Sequence, residues 1–282
     1  MINPSTPRPA PMSGGAVTRR NFLSRTAALA GGVATGALVP SPAWATPVDL
    51  RDSKIITPVK NQALCNACTA FAVVATVEGT YNKQQSYTTP DKWVNLSEAQ
   101  LFFAAGPKDA CGTSHWWPRG ALEYCKTVGL AREDAGEFAR TSNLSPPTPE
   151  LIKIATYPSL LRHTLVKTQD KMKSHINTTG PVVAVMVQYE DFQTWGNDWA
   201  RANPGMPNPG VYSPGLKPGR IVGGHVLSIV GYDDGSNPKS WLCKNSWSAS
   251  WNGDGYVWIA QGLGNNVESY VDCIDVWGIT LP

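Results

Sequence analysis

The sequence predicts an α+β fold, with helices gathered in its first half and strands in its second. Three observations carry that reading. A run beginning at Cys68, CTAFAVVATVEGTY, is apolar on nearly every face, as a central helix buried all round would be. Capped helical stretches follow it. From Pro181 onward the texture changes to short runs rich in Val, Ile and aromatic residues, separated by turn residues.

The first 45 residues are set apart from the fold. Thr18-Arg19-Arg20-Asn21-Phe22-Leu23 is a twin-arginine pattern, Thr26 to Val39 is a mildly apolar Ala- and Gly-rich run, and Ala43-Trp44-Ala45 is an A-x-A cleavage site. In that order they read as an export signal, placing the mature chain outside the cytoplasm, periplasmic or secreted. The apolar run is shorter than the ~20 residues that span a bilayer, so no membrane anchor is expected after signal removal. Next come the predicted helices. The run from Cys68 is followed by Ser97-Glu98-Ala99-Gln100, a capping box leading into LFFAA, and by Pro118 opening a helix that Gly129 is placed to end. Thr168 to Thr179 also reads helical. The predicted strands are PVVAVMVQ, HVLSIVGY, SWLCKN and GYVWIA. The Pro-rich stretch 142–149 marks a boundary between the halves, and Asn203 to Gly219 reads as a long surface loop.

Composition narrows the function. The chain has 282 residues, 42% hydrophobic and 16% charged, enough for one large domain or two small ones. The export segment holds four arginines and no acids; without them 20 basic residues face 21 acidic ones, a formal net charge of −1. No Lys/Arg block remains to suggest nucleic acid or an anionic membrane as partner. Export would put the six cysteines in an oxidising compartment.

Asn61 to Phe71 reads NQALCNACTAF, so Cys65 and Cys68 stand with two residues between them. Zinc knuckles, dithiol redox pairs, and a structural cysteine beside a nucleophile all use that spacing. A zinc knuckle needs four ligands, but Cys111, Cys125, Cys243 and Cys273 stand alone and no His lies at ligand spacing, so no metal is expected. A redox pair wants a β strand just before it, where this chain has a Lys-Asn-Gln-Ala loop. A nucleophile needs a base, a group to orient the base, and a donor for the oxyanion. His225 after Gly223-Gly224, Asn245 in LCKNSW, and Gln62 six residues before Cys68 are candidates for those places.

Further blocks extend the pattern: VDLRD at 48–52, TPVKNQ at 57–62, C-x-x-C-x-A-F at 65–71, VEG at 77–79, NLSEAQL at 95–101, GPV at 180–182, GV-Y at 210–212, GHVLSIVGY at 224–232, and KNSW with a following G-D-GY-W-I over 244–259. In this order the chain resembles the papain-like cysteine peptidases, the family of papain and the cathepsins, over nearly its whole mature length. The resemblance implies a two-lobed papain-like α+β fold with the active-site cleft between the lobes. One is a helical lobe over about 62–145, and the other an antiparallel, β-barrel-like lobe over about 150–282 that takes in the 46–60 strand.

Carried over to these residues, the resemblance makes Cys68 the nucleophile, His225 the base and later the acid, Asn245 the group that orients the imidazole, and Gln62 the oxyanion donor. Trp247 would cover the His225–Asn245 hydrogen bond. Cys65 would be structural and bonded to Cys111. Trp117, Pro118 and Val185 would line an apolar pocket for the substrate side chain two residues before the scissile bond, with Gly224 leaving its floor open. The implied partner is a peptide or protein substrate, and no cofactor is implied.

Four positions depart from the family pattern. Thr69 stands where an aromatic follows the nucleophile, Asn66 replaces a Gly, and His115 and Trp116 occupy a Gly-Gly pair whose backbone meets extended substrate. An inhibitory propeptide is expected to be absent, because the cleavage site nearly adjoins Val48. The expected function is thiol-dependent hydrolysis of peptide or amide bonds through an acyl-enzyme. Transfer of the acyl group to an amine or thiol, a non-catalytic peptide-binding module, and a dithiol oxidoreductase are the alternatives. His115, His163 and His175 are expected at the surface or in loops; of Cys125, Cys243 and Cys273, either two pair or all are buried thiols.

Overall fold

The computed structural model describes residues 46–107, 111, 116–133, 151–161, 165–214, 219–262 and 274–282. The chain divides into Met1–Ala43 and Trp44–Pro282, and the described residues belong to the second unit. The first 45 residues, read above as an export signal, the 142–149 stretch, His115, His163 and Cys273 lie outside them.

The apolar run from Cys68 forms α1, Cys68–Gln84, with twelve of its residues buried. No side chain caps its N-terminus at Ala67, so the first N–H groups of the helix stay available at the tip that carries Cys68. Ser97 caps α2, Glu98–Ala105, by accepting from the Gln100 N–H. The box is only half made: the Gln100 carbonyl instead accepts from Ala131 N–H at 2.7 Å, tying α2 to the segment after the next helix. That helix, α3, is Pro118–Thr127, with Pro118 at its first turn. Gly129 ends it at φ 105°, a conformation that disfavours side-chain-bearing residues. The fourth helix, α4, is Leu165–Thr178.

The strands are β1 Val48–Asp49, β2 Val182–Tyr189, β3 Val211–Tyr212, β4 Ile221–Asp233, β5 Ser240–Lys244, β6 Tyr256–Ala260 and β7 Asp275–Gly278. They form one sheet in the order β3-β6-β5-β4-β2-β7, with β1 also pairing β4. The expected barrel-like closure is corrected: the sheet is open, and the β3–β6 pair is parallel rather than antiparallel. The β half also contains a helix absent from the sequence reading, α5, Glu190–Ala202, which leaves β2 directly. Two acids in its first turn and Phe192 with Gly196 on its buried face mark it.

Strand alternation places two cores back to back. Val182, Ala184 and Met186 of β2 face a core shared with Ile176 and Phe192, while Val183 and Val185 join Val73, Val77 and Leu122 on the helical side. Helix α1 therefore lies on the β2–β4 face, fixed there by a Thr76–Ser228 hydroxyl contact of 2.8 Å.

Charges are buried at this junction. Lys60 Nζ donates to Glu98 at 2.8 Å and to Glu78 at 3.3 Å, Lys244 Nζ donates to Thr57 Oγ1 at 2.9 Å, and Thr57 donates on to Glu78. Glu78 also accepts the Leu96 N–H at 2.7 Å. Burial raises Glu98 to about 7 and lowers Lys244 to about 8. Removing one member strands the others in the interior. Glu78→Leu is expected to cost about 3–5 kcal/mol in urea unfolding.

His175 is corrected from its surface assignment. It lies half-buried on α4, close against Gly278, and its Nε2 accepts the Ile279 N–H at 3.3 Å. Only a neutral imidazole has that lone pair, and burial with nearby Lys83 lowers the pKa to about 4. Because the folded value is depressed, the neutral side chain contributes its stability above the unfolded value of about 6.5 and loses it as pH falls toward 4. The urea midpoint of the wild type is expected to drop over that window, and less steeply in His175→Gln.

Candidate active site

Three separate chain segments meet at the N-terminal tip of α1. The first is the Gln62–Cys65 turn. Gln62 N–H donates to Ser246 O at 2.8 Å and Ser248 N–H to Lys60 O at 3.3 Å, which pairs 60–62 with 246–248. The Gln62 side chain is held at both ends: its carbonyl accepts from the Ser246 hydroxyl, and Nε2 donates to Cys65 O at 2.7 Å. One Nε2–H is thus spent, and the amide has a second to offer the cleft. Cys65 and Cys111 form a disulfide with Cα atoms 4.4 Å apart.

The second segment is β4. His225 is 2% exposed, and its Nε2 lies 2.8 Å from Asn245 Oδ1 just past the end of β5. The same Oδ1 accepts the Ser246 N–H at 2.8 Å, which identifies it as the amide oxygen. An amide oxygen only accepts, so Nε2 must carry a proton, and in the neutral imidazole Nδ1 is the basic nitrogen. Trp247 stacks on the ring, centroids 4.6 Å apart and 30° between planes. Asn245 Nδ2 has no partner among the described residues.

The third is α1 itself. Cys68, half-buried, is its first residue, and a backbone hydrogen bond from Val226, the residue after His225, favours the thiolate. Bonds from Thr69 and from its own backbone act the same way. Burial opposes them and pushes the thiol up, and burial likewise lowers His225 to about 4 against the pull of Asn245. Each group alone resists charge. A proton passed between them would leave the pair neutral overall while creating two opposite charges across one cleft, which the helix dipole and their mutual attraction favour.

Cys68, His225, Gln62 and Trp247 line one cleft of about 370 Å³. Trp117, Val185 and Gly224 line it too, and also an adjoining apolar pocket of about 430 Å³. A Cβ at Gly224 would meet only Met186 O, at 3.9 Å, so the missing side chain leaves space for a ligand. Pro118 lies elsewhere: it is buried in the first turn of α3 and borders neither cavity. Cys125 and Cys243 are buried thiols.

Several lining residues escaped the sequence reading. Gln193 comes from the unanticipated α5, and Gln188, Val222 and Gly223 from the long β2–β4 pairing. Trp117, 51% exposed, is held by a 2.8 Å bond from its indole N–H to Asp275 of β7. Thr69, in place of an aromatic, is buried and donates its hydroxyl to Trp116 O on the cleft wall.

The family model described as "Papain family cysteine protease" matches residues 44–273. The oryzain gamma chain of Oryza sativa subsp. japonica is 28% identical over 229 residues, 80% of this chain and 57% of that protein. Cathepsin L2 of Homo sapiens is 29% identical over 226 residues, 78% of this chain and 61% of that protein. The chain therefore spans less than two thirds of these relatives' length. Among solved structures, bromelain from Ananas comosus in complex with the E64 inhibitor is 26% identical with a TM-score of 0.59, covering 84% of this chain and 99% of that one. The Carica candamarcensis cysteine protease CMS1MS2 shares the fold at 23% identity, with a TM-score of 0.62 over 84% of this chain and 98% of that one. With a family-model match over residues 44–273, most of its length, the chain belongs to the papain family of cysteine proteases.

Proposed function

We propose that the protein hydrolyses peptide and amide bonds through a Cys68 thioester, with His225 as proton carrier, Asn245 as its orienting group and Gln62 as an oxyanion donor. The carrying observation is the 2.8 Å His225 Nε2–Asn245 Oδ1 bond, which leaves Nδ1 as the base while Cys68 sits beside the next residue of the same strand. In this reading the thiol proton moves to Nδ1 and the sulfur attacks the substrate carbonyl carbon. The carbonyl oxygen becomes an anion facing the Gln62 amide and the Cys68 N–H. Collapse breaks the C–N bond, Nδ1–H protonates the departing amine, and a thioester remains. Water then attacks the thioester, gives its proton to His225, and releases the acid and the thiolate.

The test is hydrolysis of a dipeptidyl coumarylamide by the purified mature protein. Activity and labelling by an epoxide inhibitor are expected in the wild type and absent in Cys68→Ala; retention of either in that variant would sink the reading. Gln62→Ala is expected to lower kcat about 10²–10³-fold with little change in KM, since the donor acts on charge present only in the transition state. Asn245 pulls the His225 pKa upward, so Asn245→Ala is expected to move the alkaline limb of kcat/KM to lower pH.

The reading includes export by the twin-arginine-type segment and action outside the cytoplasm. The Cys65–Cys111 bond then becomes part of the machinery, because Cys65 carries the carbonyl that anchors Gln62 Nε2. Oxidation after export would complete the oxyanion side. Full coumarylamide activity in reduced protein, with Cys65 and Cys111 shown to be free thiols by mass spectrometry, would rule this out.

A further inference from the structure

The residue after the nucleophile is Thr69, and its hydroxyl has two acceptors within reach. It is 1% exposed, in the first turn of α1. A threonine inside a helix ordinarily gives its hydroxyl to the carbonyl one turn back, as Thr76 does to Ala72 O at 2.8 Å. Thr69 gives its own to Trp116 O instead, on the wall of the cleft. Trp116 is fixed there, because its indole rests on α3, so near that a Cβ at Gly120 would stand 3.0 Å from its Nε1. The second acceptor is the Cys68 sulfur, to which the Thr69 side chain also hydrogen-bonds. A hydroxyl carries one proton, so it serves one of the two at a time.

The charge on the sulfur decides which. A carbonyl oxygen is a better acceptor than a neutral thiol, and a thiolate is a better one than a carbonyl. The cleft offers a thiolate few other partners. Among its described lining residues only Cys68 and His225 titrate, since Cys65 is held in its disulfide; the Gln62 turn, β2, α5 and the 116–117 pair present uncharged side chains there. The anion is therefore held by His225 once protonated, by the helix N-terminus, by the Val226 backbone and by Thr69. On the hydrolytic reading above, on which this inference rests, we propose that Thr69 is a further catalytic residue, its hydroxyl turning from Trp116 O to Cys68 Sγ as the thiol proton passes to His225. The hydroxyl keeps its own proton throughout; only its hydrogen bond changes partner. When the sulfur becomes a thioester and loses its charge, the bond returns to Trp116 O, and it turns back to the sulfur as water releases the thiolate. Thr69 thus favours the thiolate both as it forms before attack and as it leaves the acyl group.

The experiment follows alkylation of Cys68 by iodoacetamide against pH, read on the Cys68 peptide by mass spectrometry, beside coumarylamide hydrolysis. Alkylation reports the thiolate without requiring hydrolysis. The lost donor favoured the charged form, so its removal raises the thiol pKa. Thr69→Val and Thr69→Ala are each expected to shift the thiolate–thiol ratio about tenfold, moving the acidic limb of alkylation to higher pH by about one unit. On that limb kcat/KM is expected to fall by about the same factor. Thr69→Ser, which restores the hydroxyl, is expected to return the limb to its wild-type position. Labelling of the buried thiols Cys125 and Cys243 reports any variant that has lost its fold. A limb that stays in place in both hydroxyl-free variants, whatever happens to the rate, overturns the role of Thr69 and leaves the hydrolytic reading standing; so does a limb that moves equally in Thr69→Ser. Absence of any Cys68-dependent coumarylamide hydrolysis in the wild type overturns the hydrolytic reading and this inference with it.

Discussion

The structure depends on the burial of α1 against β4. A helix apolar on every side has no face to give to water, so it must be enclosed, here between the sheet and the helices α2 and α3. Enclosure fixes where its N-terminus emerges. The tip that carries Cys68 comes out beside Val226, and Val226 follows His225 on the strand the helix packs against. The same hydrophobic contact that stabilises the domain thus sets the distance between thiol and imidazole. The Thr76–Ser228 contact and the Lys60–Glu78–Lys244 network lock the helix in register against the sheet, at a cost in desolvation that a purely apolar junction would avoid.

Around that contact the site is built mainly by restraint. Asn245 selects one tautomer of His225, Trp247 and Phe192 close over the ring, and the 60–62 strip pairs with 246–248 so that Gln62 and Asn245 are both tied to Ser246. Low dielectric penalises either charge by itself, yet it strengthens the attraction between an adjacent thiolate and imidazolium. Preorganised donors and a dry imidazole are what an acyl transfer needs before substrate arrives.

The aromatic cluster extends the same logic away from the thiol. Phe192 touches Tyr212, Trp247 and Trp251 as well as His225, so α5 is wedged into the base of the wall that carries His225. A segment rich in Pro and Gly acquires order because Asn208 and Asn252 exchange hydrogen bonds across it and Gly253 lets the backbones touch.

The sequence by itself determined the elements whose signal is local. The all-apolar run gave α1, Ser97 and Pro118 opened α2 and α3, Gly129 closed the latter, and the β-branched runs gave β2, β4, β5 and β6. It also named Cys68, His225, Asn245 and Gln62 as candidates, through the family resemblance that its ordered motif blocks carry. It missed α5 although Phe192, Trp195 and Trp199 stand at helical spacing, because aromatics and a Gly directly after a β-branched run read as part of the strand-rich half; it missed β7 because four residues carry too little pattern, and the open sheet because closure is a property of edges rather than of strands. His175 looked like a surface residue until α4 packed it against β7. Only tertiary structure decided that Pro118, buried in the first turn of α3, borders neither cavity, that Asp275 holds Trp117, and that a second groove lies against Trp247. Those outcomes depend on which surfaces meet, and contacts between residues far apart in the chain are set by packing, which no local pattern encodes.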